Sequence, residues 1–436
     1  MQVAIHEKNN QGSSLVPMCI IGILFFIFGF VTWLNGALIP FLQIVCELTE
    51  TQALLVAFSF YISYVVMALP MAWILERTSY KHAMVLGLMM ISAGFLLFVP
   101  AAQSRIFGVF LLAQFVVGTG LTILQTASNP YIVKIGPQET AAVRISIMGL
   151  LNKLAGVVAP VMFTAIVLGE FQGITARVVE AMPEAQRLSQ IESLSNSLIE
   201  PYVVMAMVLL LLAFLLKLSS LPELDLDKET VSSAGQKRSI LEFPQLLLGV
   251  LTLFMYVGVE VIAGDTIGLF GSRLGVANAT SLTSYTMGFM VIGYLFGLAL
   301  IPRLLKQQQA LTASAIAGLI LSFCVLFSNP QDTGVSQWLW GWLNIPILPN
   351  TITFVALLGF ANALVWPAIW PLALDGLGKF TAKGSALLIM GISGGAVLPL
   401  VYGTLSENFG GQNAYWVMIP CYLFILFYAV KGHKLR

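Results

Sequence analysis

Charge is what this sequence has least of. Of its 436 residues only 9% are Asp, Glu, Lys or Arg, against 58% hydrophobic, and the mean hydropathy is +0.90. A soluble domain carries about 25% charged residues, so this chain could not cover a water-facing surface. The formal charge of +1 leaves no basic excess with which to grip nucleic acid. Histidine is scarce as well. His6, His82 and His433 all sit in polar ends or loops, which excludes His-Glu-x-x-His metal chemistry at membrane depth. The four cysteines, Cys19, Cys46, Cys324 and Cys421, show no Cys-x-x-Cys spacing, and three lie in apolar runs. They offer neither a zinc site nor a disulfide framework.

What the chain has in abundance is apolar runs of membrane-spanning length. A hydrocarbon core of roughly 30 Å needs about 20 mostly apolar residues per helix. Such runs fall at 15–43, 51–76, 82–102, 105–134, 141–169, 198–218, 244–272, 281–303, 309–328, 350–377, 383–406 and 413–431. They are continuous, whereas a transmembrane barrel would show short alternating segments, so the fold class is an all-α membrane protein with twelve transmembrane helices. The first run is too long for a signal-peptide core and no Ala-x-Ala pattern follows it, so it is read as a retained helix. Arg105, Arg177, Arg187 and Arg273 fall on the side opposite the chain ends and Lys153 falls inside a span; every other Lys and Arg lies on the side of the ends. That asymmetry predicts both termini in the cytoplasm.

The stretch 219–243 (LPELDLDKETVSSAGQKR at its centre) is charged and small-residue-rich, as a linker is. It divides the chain into an N-terminal six-helix bundle (1–218), a cytoplasmic linker (219–243) and a C-terminal six-helix bundle (244–436). Corresponding helices echo each other. The fifth reads Thr140-Ala141, Ile147-Met148-Gly149 and Pro160; the eleventh reads Thr381-Ala382, Ile389-Met390-Gly391 and Pro399. Spacings differ by one to three residues, which chance in a Gly/Ala-rich chain could produce, but the matched helices hold the same place in each half. Two such six-helix pseudo-repeats around a midplane site are a known transporter architecture. Residues 170–199 read as a polar, helix-forming surface segment. Trp338, Trp340 and Trp342, ahead of Pro346 and Pro349, read as an interfacial aromatic belt, with a sugar platform as the less favoured reading.

The informative residues are polar groups in apolar helices, because lipid cannot satisfy them. In the fourth helix Gly118, Thr122, Gln125 and Asn129 fall at helical spacing and share one face. Interhelical bonding explains such amides in part. Two amides one turn apart beside Pro130 carry more polarity than packing requires, and amides supply both donor and acceptor to a polyhydroxylated ligand. The tenth helix carries Gly359, Asn362, Trp366 and Trp370 at the same spacing, with Pro367 and Pro371 interleaved. Indole rings offer a flat face to a sugar's C–H side and an N–H donor at the edge; an apolar face with proline kinks is an equal reading. The first helix adds Trp33, Asn35 and Gly36, and the fifth adds Gly149, Asn152, Lys153 and Gly156 as a stripe.

Of the 20 acidic residues only Glu260 and Asp265 lie well inside a span, in the seventh helix (YVGVEVIAGDTIG); Asp375 is at a helix end. Burying a charge costs several kcal/mol unless it is paired or neutralised. Five residues apart, the two acids do not align on an ideal helix. Gly258, Gly264 and Gly268 give the helix scope to unwind and free carbonyl oxygens. With Asp265 and the Thr266 hydroxyl these would form an oxygen cage for a small hard cation. A fixed structural ion pair with Lys153 is the plainer alternative.

Together these residues resemble a family. The twelve helices, the central linker and the loop AWILERTSYK (Ala72 to Lys81), which looks like a degraded acidic–Arg–basic motif, resemble the major facilitator superfamily. FGFVTWLNG (Phe28 to Gly36), QTASNP (Gln125 to Pro130) and YVGVE (Tyr256 to Glu260) are similar to segments of the fucose:proton symporter family, in particular its bacterial glucose/galactose transporter branch. The resemblance covers nearly the whole chain and implies a rocking, alternating-access sugar symporter of the bacterial cytoplasmic membrane. In the fucose branch, acids linked to coupling and sugar binding lie in the first and fourth helices. Here Gly36 and Gln125 hold those places, so that mechanism does not transfer.

The expectation is therefore hexose uptake by cation symport, with Na+ slightly ahead of H+, and no cofactor. Asn35, Gln125, Asn129, Asn152, Glu260, Asn362 and Trp366 are expected to contact sugar. Asp265 and Thr266 would hold the cation, Glu260 would take part in coupling, and Lys153 would balance charge in the empty site. The partners are a sugar and the lipid bilayer, and a monomer is favoured. Export of sugars or amphipathic compounds on the same fold, a passive channel and, remotely, an intramembrane enzyme are the alternatives.

Overall fold

The computed structural model describes residues 15–135, 141–169, 171, 174, 176–222, 240–301, 306–377 and 380–435. Most of the expected linker, with Lys8, Thr140, Lys228, Lys237, Arg238, Arg303, Lys379 and Arg436, lies outside them, as do the side chains of Pro130, Lys134 and Lys383. Twelve helical stretches among the described residues are long and apolar enough to cross a bilayer. They are α1 Val16–Val45, α2 Glu50–Met67, α3 Tyr80–Ser104, α4 Phe107–Asn129, α5 Arg144–Val167, α6 Glu184–Leu218, α7 Pro244–Arg273, α8 Ala279–Leu300, α9 Gln307–Phe327, α10 Asn350–Leu374, α11 Gly384–Phe409 and α12 Asn413–Lys434. The protein is an all-α integral membrane protein. With twelve crossings, residues 15 and 435 come out on one side, called here the near end. Glu50, Arg273 and Phe409 stand at the far end.

Hydrophobicity all round leaves these helices little amphipathic character, so burial rather than pattern tells which lie inside. Buried residues make up 67% of the apolar windows of α7 and α10 and 61% of that of α4, against 28% for α6. The first three are therefore central and α6 is peripheral. Two of the three, α7 and α10, are also broken, whereas α4 is continuous. Helix α7 changes direction at Thr266, between Pro244–Asp265 and Ile267–Arg273. Helix α10 breaks after Asn350–Asn362 and resumes at Val365–Leu374. Helix α1 is interrupted at Leu34, and a 3-10 turn, Gly391–Ser393, interrupts α11.

Within the first six spans the main packing is α3 on α4 and α6, α2 on α4, and α1 on α5. Within the last six it is α8 and α9 on α10, with α7 against α10, α11 and α12. Two seams join the groups, α2 with α11 and α5 with α8. At the far end the second half of α1 also packs against α7 and the turn before α8. Among the described residues no seam of comparable extent joins α4 and α10. The two groups thus meet at the far end and along two sides, whereas α4 and α10 are not packed extensively on each other.

Of two sequence expectations for the far-end surface, one holds and one turns out differently. Residues 176–180 and 184–196 are helical, as their composition suggests. The tryptophan belt is only two-thirds a belt. Trp338 and Trp342 are 79% and 77% exposed, but Trp340 is buried. Its indole N–H donates to the Pro346 carbonyl at 3.0 Å, and its ring packs on Tyr285 and Phe289. Residues 338 and 342 are one helical turn apart, so 340 necessarily points the other way.

Candidate functional site

Lys153 of α5 and Glu260 of α7 meet at the centre. The Lys153 ammonium donates to Glu260 Oε1 at 2.6 Å, with both side chains almost wholly buried. The same ammonium stands 4.7 Å from the centroid of the Trp33 ring in α1, a cation–π contact that supplements the ion pair. Tyr256, one turn before Glu260, lies on the same face of α7. Tyr256 in turn packs on Trp366, and Trp366 on Trp370, with ring centroids 6.3 and 5.5 Å apart. A continuous strip therefore runs Trp370, Trp366, Tyr256, Glu260, Lys153, Trp33 from α10 through α7 to the first six spans.

Trp33 reaches α7 because Gly264 has no side chain; a Cβ there would run into the indole ring. The next residue is Asp265. It is fully buried, and neither carboxylate oxygen has a hydrogen-bond partner among the described residues. Tyr61 of α2 lies within electrostatic reach of both Asp265 and Glu260.

The expected oxygen cage is not assembled around Asp265. The Thr266 hydroxyl donates back to the Ile262 carbonyl at 2.6 Å and stands 3.3 Å from the Tyr415 hydroxyl. The break at Thr266 occurs where the glycines suggested, but the two carbonyls beside it are taken up by threonines of α8. Thr286 donates to the Ala263 carbonyl at 3.0 Å and Thr283 to the Gly264 carbonyl at 2.6 Å. A buried carbonyl finds a donor wherever one is near, because leaving it bare costs about 1–3 kcal/mol.

The amides divide into two sets. Asn35 is 1% exposed and its Oδ1 accepts from Gln114 Nε2 of α4 at 2.9 Å; Asn362 is 0% exposed and its Oδ1 accepts from the Tyr422 hydroxyl of α12 at 2.8 Å. Both were expected on sugar. Each is held through its oxygen by a polar partner on an adjacent helix of its own group, while its Nδ2 has no partner among the described residues. Gln125, Asn129, Asn152 and Trp366 are only half-buried. Gly118, on the same α4 face, lets α2 approach so closely that a Cβ would strike the Phe60 carbonyl. That face of α4 therefore looks at α2 around Gly118.

Sequence reasoning missed Tyr61, Tyr64 and Tyr256. The first two sit three residues apart in an apolar helix, on one face, with rings stacked at 6.4 Å. That spacing was the available signal. Gly36, where the fucose branch has an acid, is packed against the Thr283 side chain so tightly that no side chain fits.

Residues 21–393 match the model of the Major Facilitator Superfamily. The chain belongs to the major facilitator superfamily. It is 33% identical over 434 residues to a glucose/galactose transporter of Brucella abortus, covering 98% of this chain and 96% of that one. It is 26% identical to the L-fucose-proton symporter of Escherichia coli, covering 97% and 94%. Among solved structures it is similar to the transporter FucP in the outward conformation, with a TM-score of 0.71, 24% identity, and coverage of 97% and 100%. As a superfamily member the protein is a transporter and not an enzyme.

Proposed function

We propose that this protein takes up a hexose of the glucose or galactose type by cation symport, with Asp265 as the coupling group. The sugar class rests on the glucose/galactose transporters among the relatives. The coupling assignment rests on one observation: of two acids on α7, one is neutralised by Lys153 and the other is sealed with no partner. An unpaired ionised carboxylate in such a place costs several kcal/mol, so a cation of some kind must visit it during the cycle.

The sugar site in this reading lies between α4, α5, α7 and α10. Gln125, Asn129 and Asn152 supply amide contacts, Trp366 a ring face, and Glu260 an acceptor when Lys153 swings aside. Asn35 and Asn362 serve as struts behind that surface. The residues up to 218 and from 244 onward move as two bundles about the α2–α11 and α5–α8 seams, and 219–243 links them. Both termini lie in the cytoplasm of a bacterial cell, so the near end faces inward.

For the coupling ion, a proton fits this arrangement. The carbonyls of Ala263 and Gly264 and the Thr266 hydroxyl already have partners, whereas a proton needs only the Asp265 oxygens. Two relatives are named as proton symporters. Sodium, ranked first from sequence, is the second reading, favoured by the hydroxyls of Thr266 and Tyr415 gathered next to Asp265. Labelled-glucose uptake into vesicles, driven in turn by a pH gradient without sodium and by a sodium gradient at fixed pH, decides between them. Accumulation under neither gradient sinks the symport reading, and accumulation reversed in direction makes the protein an exporter.

A further inference from the structure

The strip and the coupling acid leave one buried charge cluster unused. Glu50, at the far-end start of α2, is 5% exposed. It forms an ion pair with Arg273, the last residue of α7, and it accepts a hydrogen bond from the Ser406 hydroxyl of α11. Arg273 Nη1 also donates to the Ser406 carbonyl at 3.3 Å. Next to it the Thr51 N–H donates to Glu407 Oε1 at 2.8 Å. On the other side of the crevice the hydroxyls of Thr164 and Thr280 meet at 2.7 Å. Apart from the Arg273–Ser406 bond, which joins α7 to α11, these contacts run from the first six spans to the last six, and all lie at the far end.

The position of Arg273 in the chain matters as much as its partner. Asp265 ends the long piece of α7, Pro244–Asp265, and Arg273 ends the short piece, Ile267–Arg273, with Thr266 the single residue between them. The short helix is thus a rod hinged at Thr266, directly after the acid. Phe270 of that rod packs on Tyr415, and Gly268 lies against the Gly36 carbonyl of α1, so the rod is held between both groups of spans.

We propose that Glu50, Arg273 and Ser406 form the far-end lock of the carrier, and that the Ile267–Arg273 helix is the lever by which the state of Asp265 sets it. Neutral Asp265 is compatible with the sealed, dry surroundings seen here, and the lock stays shut. Ionised Asp265 is stable only with water or a partner beside it, and turning toward water moves the lever and draws Arg273 off Glu50. Glu50 and Arg273 are positioning residues: they touch neither sugar nor ion. The lever rests on the coupling role given to Asp265 above, whereas the lock does not.

Leu54, one turn below Glu50, is fully buried against Gly403 and becomes reachable only when the far end opens. The test is the rate at which a polar maleimide labels Leu54→Cys in purified full-length protein whose four native cysteines are replaced, with no sugar present. Arg273→Gln, which strands the buried Glu50, is expected to raise that rate about tenfold or more, and Glu50→Gln, which leaves the partly exposed Arg273 without its partner, several-fold. The exchange E50R/R273E is expected to return it close to the parent rate, with an unchanged melting temperature, which a merely unfolded variant would not do. An unaltered rate in Glu50→Gln, or no recovery in the exchange, overturns the lock. Asp265→Asn is expected to slow labelling several-fold by holding the neutral state. An unaltered rate there overturns the lever, whatever transport assays say of coupling.

Discussion

Two carboxylates five residues apart on α7 live in opposite surroundings. Glu260 has an ammonium at 2.6 Å and, through Lys153, an indole ring. Asp265 has no hydrogen-bond donor among the described residues. The helix itself creates the difference. Five residues turn the helix through roughly 500°, so one acid faces α5 and the other faces α2 and the far end. A single turn of backbone thereby separates a charge that is balanced at rest from one that must be balanced by something arriving. That contrast defines what would break the assignment.

The largest effect is expected from Asp265→Asn. Concentrative sugar uptake falls to simple equilibration, while exchange of internal for external sugar continues. Persisting accumulation in that variant would transfer the coupling role elsewhere. Next comes Lys153→Met, which strands Glu260. Breaking a buried pair on one side costs about 3–5 kcal/mol, to be read as a lowered melting temperature. K153M/E260Q should recover most of that loss, because no buried charge is left alone. If the double variant is no better than the single one, Lys153 has a partner other than Glu260.

The amides extend the comparison at smaller scale. Asn35→Ala leaves the Gln114 amide without its acceptor and is expected to cost about 1–3 kcal/mol of stability while sugar affinity holds. Gln125→Ala should do the reverse, weakening sugar binding about tenfold, or 1.4 kcal/mol, with little change in melting. Binding calorimetry paired with thermal melts on both variants separates strut from contact. Least is expected of Trp33→Phe, which keeps a ring under Lys153 and loses at most about 1 kcal/mol of cation–π attraction. Trp33→Leu, lacking the ring face, should lose more. Equal melts for the two would show that the ring face contributes nothing to holding Lys153.

Much of the architecture was legible because apolar length is a local property. Twelve runs in the sequence became twelve spans, and the places of Gly118, Gly264 and the α7 break followed from residue type. The site was legible in composition but not in pairing. Lys153, Glu260 and Asp265 stand out in any reading as charges in hydrocarbon. Nothing local says that Lys153 reaches Glu260 and not Asp265, because 107 residues separate the pair. Asn35 and Gln125 are equally polar and equally placed in apolar helices. One meets Gln114 across a tight contact and the other is only half-buried, and only packing tells them apart. Glu50 and Arg273 were passed over for a similar reason: at the ends of spans, charged residues are ordinarily solvated.

The sequence by itself determined that this chain resides in a bilayer, crosses it as helices and carries a handful of ionisable groups where lipid cannot solvate them. Those conclusions depend on transfer free energies summed along contiguous residues, which need no knowledge of the fold. The tertiary structure decided which of those groups cancel one another, which remain unmet and which end of the crevice is shut. These are properties of distances between helices remote in the chain, and a few ångströms of packing separate a neutral pair from an isolated charge.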